Sequence, residues 1–179
     1  MTIISLDQVR AARPAADEHV PYYATYIGKV GDGDIVRALA GQIGDTLALL
    51  ESISEEKAGH RYAEGKWSIR ELVGHVCDAE RIFGYRALRF ARGDETALPG
   101  FDENAYVANA RLDERPLASL ADELDAVRRA TVALFDGLFP EEWIRRGVSN
   151  GRPMSVRALA WIIAGHERHH VEILKTRYL

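Results

Sequence analysis

Four stretches of this chain repeat apolar residues at the spacing of an α-helix, and no stretch competes as a strand. In the first, Ile35, Val36, Leu39, Ile43, Leu47 and Leu50 keep that spacing to about Ile53. It follows the Gly31-Asp32-Gly33-Asp34 turn, where Asp32 or Asp34 caps the free amides. The second opens at Trp67-Ser68-Ile69-Arg70-Glu71, with Ser68 and Glu71 in capping-box relation, and runs to Ala91 before Gly93. The third shows Leu117, Leu120, Leu124, Val127, Thr131, Leu134 and Leu138 on one face. Pro116 suits its first turn, and Gly137 with Pro140 ends it. The fourth starts at Ser155 and carries Val156, Leu159, Ile163, His166, His170, Ile173 and Leu174 on one stripe. Amphipathic helices bury such stripes most simply against one another, so the fold class expected is all-α, a four-helix bundle.

The connections are uneven. The segment from Gly93 to about Arg115 carries Pro99-Gly100-Phe101 and Tyr106 and is long enough to expect a lid or binding loop. Between Phe139 and Met154, Pro140-Glu141-Glu142-Trp143 reads as one short helical turn. Residues 1–32, with Pro14, Pro21 and three tyrosines, read as an N-terminal arm laid over the bundle. A chain of 179 residues fits a single domain, 1–179, with one continuous core. A net charge of −4 argues against a surface that tracks phosphates, so no nucleic-acid partner is expected. Cys77 is the single cysteine, which excludes an internal disulfide. The N-terminus lacks a signal-peptide pattern and no apolar run reaches bilayer length, so the expectation is a cytoplasmic protein without a membrane partner.

The chemistry is concentrated in histidines. His166 and His170 are i, i+4 on the fourth helix, about 40° apart around the axis and roughly 6 Å apart along it, so both rings look the same way. His75 lies on the inward line Leu72, His75, Ala79, Ile82 of the second helix. Alone, it reads as a packed core histidine. Together, three inward imidazoles satisfy one another poorly, and a divalent ion bound by all three resolves that cost. His75, His166 and His170 are therefore the metal-ligand candidates, leaving a position open for water or substrate. His169 faces some 100° away from His170, a surface or supporting residue, and His19 and His60 carry no spacing signal. Cys77 points away from the His75 stripe and reads as a small buried side chain rather than a thiolate ligand.

His166-Glu167-Arg168-His169-His170 also satisfies the H-E-x-x-H pattern of zinc peptidases. That reading is disfavoured by the absence of an edge strand to hold a peptide, and only nine residues follow His170 for a further ligand. Glu167 remains a candidate to orient water in another reaction. On the second helix, Glu80, Arg81, Arg89 and Arg92 read as a solvated or subunit-facing surface, and Asp78 and Glu80 as possible acceptors for a histidine N–H. Arg86, three turns beyond His75 on the same face, is a candidate to hold an anionic substrate group or a buried acid.

The string from Tyr62 through Trp67-Ser68-Ile69-Arg70-Glu71-Leu72-Val73-Gly74-His75, then Glu80-Arg81 and Arg86-Ala87-Leu88, resembles the opening of the DinB-like (DinB/YfiT) proteins. Leu98-Pro99-Gly100-Phe101-Asp102 and the closing Gly165-His166-Glu167-Arg168-His169-His170 resemble the same family, so the likeness runs from about Asp34 to Leu174. The resemblance implies an up-down-down-up bundle in which His75, His166 and His170 ligate one divalent ion, Zn, Ni, Fe or Mn. It implies a small-molecule substrate, a hydrolase or a low-molecular-weight thiol S-transferase, and a homodimer. The rival expectation is a non-catalytic binding or stress-response module that a metal only braces.

Overall fold

The computed structural model describes residues 5–179, so the first four residues of the expected arm lie outside the described residues. Four long helices dominate it: α1 (Ile35–Glu51), α2 (Ile69–Ala91), α3 (Leu117–Asp136) and α4 (Val156–Ile173). Their starts follow local chemistry. Asp34 accepts from the amides of Val36 and Arg37, Ser155 accepts from that of Ala158, and Ser68 with Glu71 forms the reciprocal capping box. Pro116 sits at the N-cap of α3, one place earlier than a first-turn proline, and Gly137 is its C-cap.

Side-chain pairings fix the direction of each rod. Gln42 reaches Ala164 and Thr46 reaches Glu167, so α1 and α4 run parallel. Cys77 faces Leu120 and Glu80 pairs with Arg128, so α2 and α3 also run parallel. Arg128 reaches the Leu39 carbonyl while Leu50 and Leu117 line a common groove, which sets α1 against α3. His75 meets His170 as Phe90 meets Gly147, just before α4 begins, which sets α2 against α4. The order is up-down-down-up.

Parallel neighbours explain the long connection. The chain leaving the far end of α2 must travel back along the bundle, about 34 Å for a 23-residue helix, before α3 can start. The return path is structured rather than a bare loop. It contains a helix, Glu103–Asn109, capped by Asp102, and a helical turn, Leu112–Glu114.

One expectation fails here. The connection before α4 holds the helical turn Pro140–Trp143, but it also folds into a hairpin of β1 (Arg146–Ser149) and β2 (Arg152–Ser155). Arg146 pairs with Ser155 and Ser149 with Arg152, around Asn150 (φ 53°) and Gly151 (φ 70°). Two successive positive φ values are what a tight hairpin needs, and Asn-Gly is the dipeptide that supplies them at least cost. Strands of four residues are too short to register as an apolar pattern. The hairpin also pins the return path, because the Leu98 amide donates to Val148 and the Asn150 amide donates to Leu98.

The core has two apolar clusters. One, toward the hairpin, gathers Leu39, Phe83, Phe90, Phe135, Trp143, Trp161 and Ile163. The other, toward the opposite end, gathers Ile43, Leu72, Val76, Leu120, Leu124 and Leu174. Between them lies a polar layer built from α2, α3 and α4. Arg128, 1% exposed, donates to both oxygens of Glu80 at 2.9 and 2.8 Å and pairs with Glu167 at 2.7 Å. Glu80 is thus buried, not part of a solvated face. Among the described residues no helix is long and apolar enough to cross a membrane.

Candidate metal centre

Antiparallel packing of α2 on α4 brings the histidines together. His166 Nε2 lies 3.1 Å from His75 Nε2 and 3.1 Å from His170 Nε2, and all three rings are buried. One ring nitrogen from each residue falls within 4.8 Å of the other two. Burial pushes the His75 imidazole down to about 4, and burial followed by the neighbouring rings pushes His166 and His170 well below the ordinary value. All three are neutral at pH 7 and present lone pairs rather than charge.

The arrangement suits an ion better than it suits three free rings. A neutral His166 Nε2 has one lone pair, which cannot accept in-line hydrogen bonds from two sides. Nitrogens held 2.0–2.1 Å from a tetrahedral ion stand about 3.3 Å apart, near the spacing seen here.

The rings are held by packing. Trp67 lies over His75 with centroids 4.7 Å apart, and Tyr26 meets His166 edge-on at 5.3 Å. Tyr26 reaches that position because α4 presents Gly165 there; a Cβ would stand 2.0 Å from the Tyr26 carbonyl oxygen. Tyr26 and Tyr22 share a hydroxyl hydrogen bond of 2.8 Å, and burial raises the Tyr26 phenol well above its ordinary value.

A cavity of about 160 Å³ opens on the His75 and His166 side. Tyr22, Tyr23 and Tyr26 line it from the arm, Phe83 and Arg86 from α2, Gly100, Phe101 and Glu103 from the return path, and Asn150 from the hairpin. His170 opens instead toward a second cavity of about 240 Å³ with Lys66, Trp67, Asn104 and Tyr178.

Not every candidate arrives at the triad. Glu167 turns away from it: Oε1 accepts from Thr46 at 2.6 Å, and Oε2 takes Gln42 and Arg128. Both oxygens are committed to the core, so Glu167 does not orient water at the histidines. Asp78 pairs with Arg81 at 3.6 Å and Glu80 with Arg128, so neither supports an imidazole. Arg86 does reach the cavity, buried, with Nη2 donating to the Pro99 carbonyl at 2.9 Å. His169 is half-buried against Tyr26, and Cys77 aims its thiol at the Leu120 carbonyl. Phe101 lines the cavity, whereas Tyr106 packs on Phe101 and stays half-exposed.

Glu103, Asn150 and the arm tyrosines had no helical spacing to reveal them. Asn150-Gly151 was the one available signal, as a hairpin turn.

This is a helical bundle whose two antiparallel inner rods converge their imidazoles on one point, the build of a metal protein. Residues 38–174 match the DinB superfamily, and the chain belongs to it. It is 27% identical over 143 residues, 78% of this chain and 79% of the relative, to an Oceanobacillus iheyensis protein named a putative metal-dependent hydrolase. YfiT from Bacillus subtilis, described as a probable metal-dependent hydrolase with an unusual four-helix bundle topology, shares the fold at a TM-score of 0.68. That likeness covers 92% of each chain at 15% identity. YjoA, a DinB-like protein of Bacillus subtilis, matches at a TM-score of 0.55 and 26% identity, over 79% of this chain and 86% of its own.

Proposed function

We propose that the protein is a metal-dependent hydrolase of a small molecule bound in the cavity beside His75 and His166. The convergence of three neutral imidazole nitrogens, with His75 and His166 on the wall of a lined cavity, carries this reading, and the name given to the Oceanobacillus relative supports it. What a divalent ion held by His75, His166 and His170 supplies is Lewis acidity and water that ionises near neutral pH. The chain's own residues do the rest. Phe83 and Phe101 give the cavity an apolar wall. Glu103, the one carboxylate of the lining, is the group to accept a proton from the attacking water. Burial keeps the Tyr26 phenol protonated, and that hydroxyl, hydrogen-bonded to Tyr22, is the donor available to a leaving group. The Cys77 thiol does not line the cavity; it is turned toward α3.

Elemental analysis of untagged protein, paired with turnover of an ester, amide and phosphoester panel with and without low-molecular-weight thiols, tests this reading. One ion per chain with thiol-independent turnover, both lost in His75→Ala, is the expected result. Turnover that requires thiol moves the protein to S-transfer. A loaded protein inert toward every substrate favours the metal-braced module, and a metal content near zero that His75→Ala leaves unchanged ends the metal reading.

A further inference from the structure

Among the described residues two arginines are buried in this bundle, and they are partnered in opposite ways. Arg128, 1% exposed, is bracketed by the carboxylates of Glu80 and Glu167. Arg86, 4% exposed, has no carboxylate within ion-pair distance among the described residues, and its hydrogen bond to Pro99 uses a single nitrogen. Its other donors are not sealed; they open on the cavity beside the histidines. A desolvated cation without a counter-charge is costly, so its site is complete only with an anion. Glu103 lines the same cavity but does not come within ion-pair distance of it.

Helix geometry aims Arg86 at the triad. Its Cα lies about 16 Å beyond that of His75 along α2, and helical side chains lean back toward the N-terminus, here toward His75. Phe83 stands between, its ring centroid 5.8 Å from the guanidinium carbon and 6.0 Å from the His166 ring. The guanidinium and the histidines are thus one aromatic ring apart. Phe101 flanks Arg86 on the other side at 5.9 Å.

We propose that Arg86 is the anion anchor of this cavity, holding a carboxylate or phosphate group of the substrate while the reacting bond lies at His75 and His166. The claim rests on the hydrolase reading of the same site and narrows its substrates to small oxyanionic molecules. Two donors of a planar fork match two oxygens of either group, a match an ammonium cannot reproduce.

The test is calorimetric titration of the zinc-loaded protein with inorganic phosphate and, separately, with acetate, at constant ionic strength and with zinc content measured on every sample. At least one of the two binds the wild type. Arg86→Gln weakens that binding about tenfold or more, Arg86→Lys weakens it less, and zinc content stays at the wild-type level in both. Because Arg86 holds the anion itself, binding persists in His75→Ala. Should Arg86→Gln fail to fold, the Arg86 Nε–Hε resonance of the wild type, assigned with Arg86→Lys, shifts on addition of the same anion. Equal affinity in wild type and Arg86→Gln, an unmoved resonance, or no binding of either anion to zinc-loaded wild type overturns the anchor and leaves the metal site standing. Zinc absent from a wild type that still binds the anion overturns the hydrolase reading instead.

Discussion

Cys77 stands two residues from His75, and the helix turns it about 160° away, against α3. Burial pushes its thiol up to about 12, so thiolate is scarce at neutral pH. Alkylation of native protein by iodoacetamide at pH 8 is expected to proceed no faster than unfolding, with rapid labelling in denaturant as the control. Glu103 makes the opposite prediction at the mouth of the site. Glu103→Gln is expected to lower kcat about a hundredfold or more with metal content unchanged, read by steady-state kinetics beside elemental analysis. At this scale the sequence was legible wherever a residue sat on a helical stripe, as the histidines did. It misled at Glu167, because a position beside a ligand in the chain is turned about 100° from it in a helix. Glu80 misled for a related reason: its carboxylate looks solvated until Arg128 arrives from another helix.

Among the elements, α4 is the one whose neighbours tolerate least. Its Gly165 accepts the backbone of the arm against it, and a methyl there meets carbonyl oxygen and carbon rather than a flexible tip. Gly165→Ala is expected to cost roughly 1–3 kcal/mol of stability by chemical denaturation, through overpacking against backbone. The polar layer between the core clusters gives a larger effect. Arg128→Ala strands two buried carboxylates and is expected to cost about 3–5 kcal/mol, while Arg111→Ala, at an exposed pair with Glu114, changes stability by less than about 0.5 kcal/mol. Helix starts were readable because caps are local: Asp34, Ser68 and Ser155 bond amides within three residues. The hairpin's strands were not, being four residues long and half exposed, although the Asn150-Gly151 turn between them is a local signal.

The whole molecule depends on the arm as well as the bundle. Glu18, buried, accepts from Ser155 at 2.7 Å and from Arg157, tying the arm to the start of α4. Burial raises its carboxyl, but those donors outweigh burial and hold it below the usual carboxylate range. An acid whose folded-state value is depressed stabilises fully above its unfolded value, about 4.3, and the contribution is lost as pH falls through the folded value. Glu18→Gln is therefore expected to unfold at lower denaturant than wild type at pH 7, with the gap closing toward pH 3. Four apolar stripes, the capped starts of their helices and the inward heading of each histidine follow from residues within a turn or two of one another, and the 3.6-residue period alone settles them. The shared point of His75 and His166, the parallel pairs and the bracketed Arg128 join residues tens of positions apart. Those were set when the rods chose partners, because a period says which way a side chain faces and not what stands opposite.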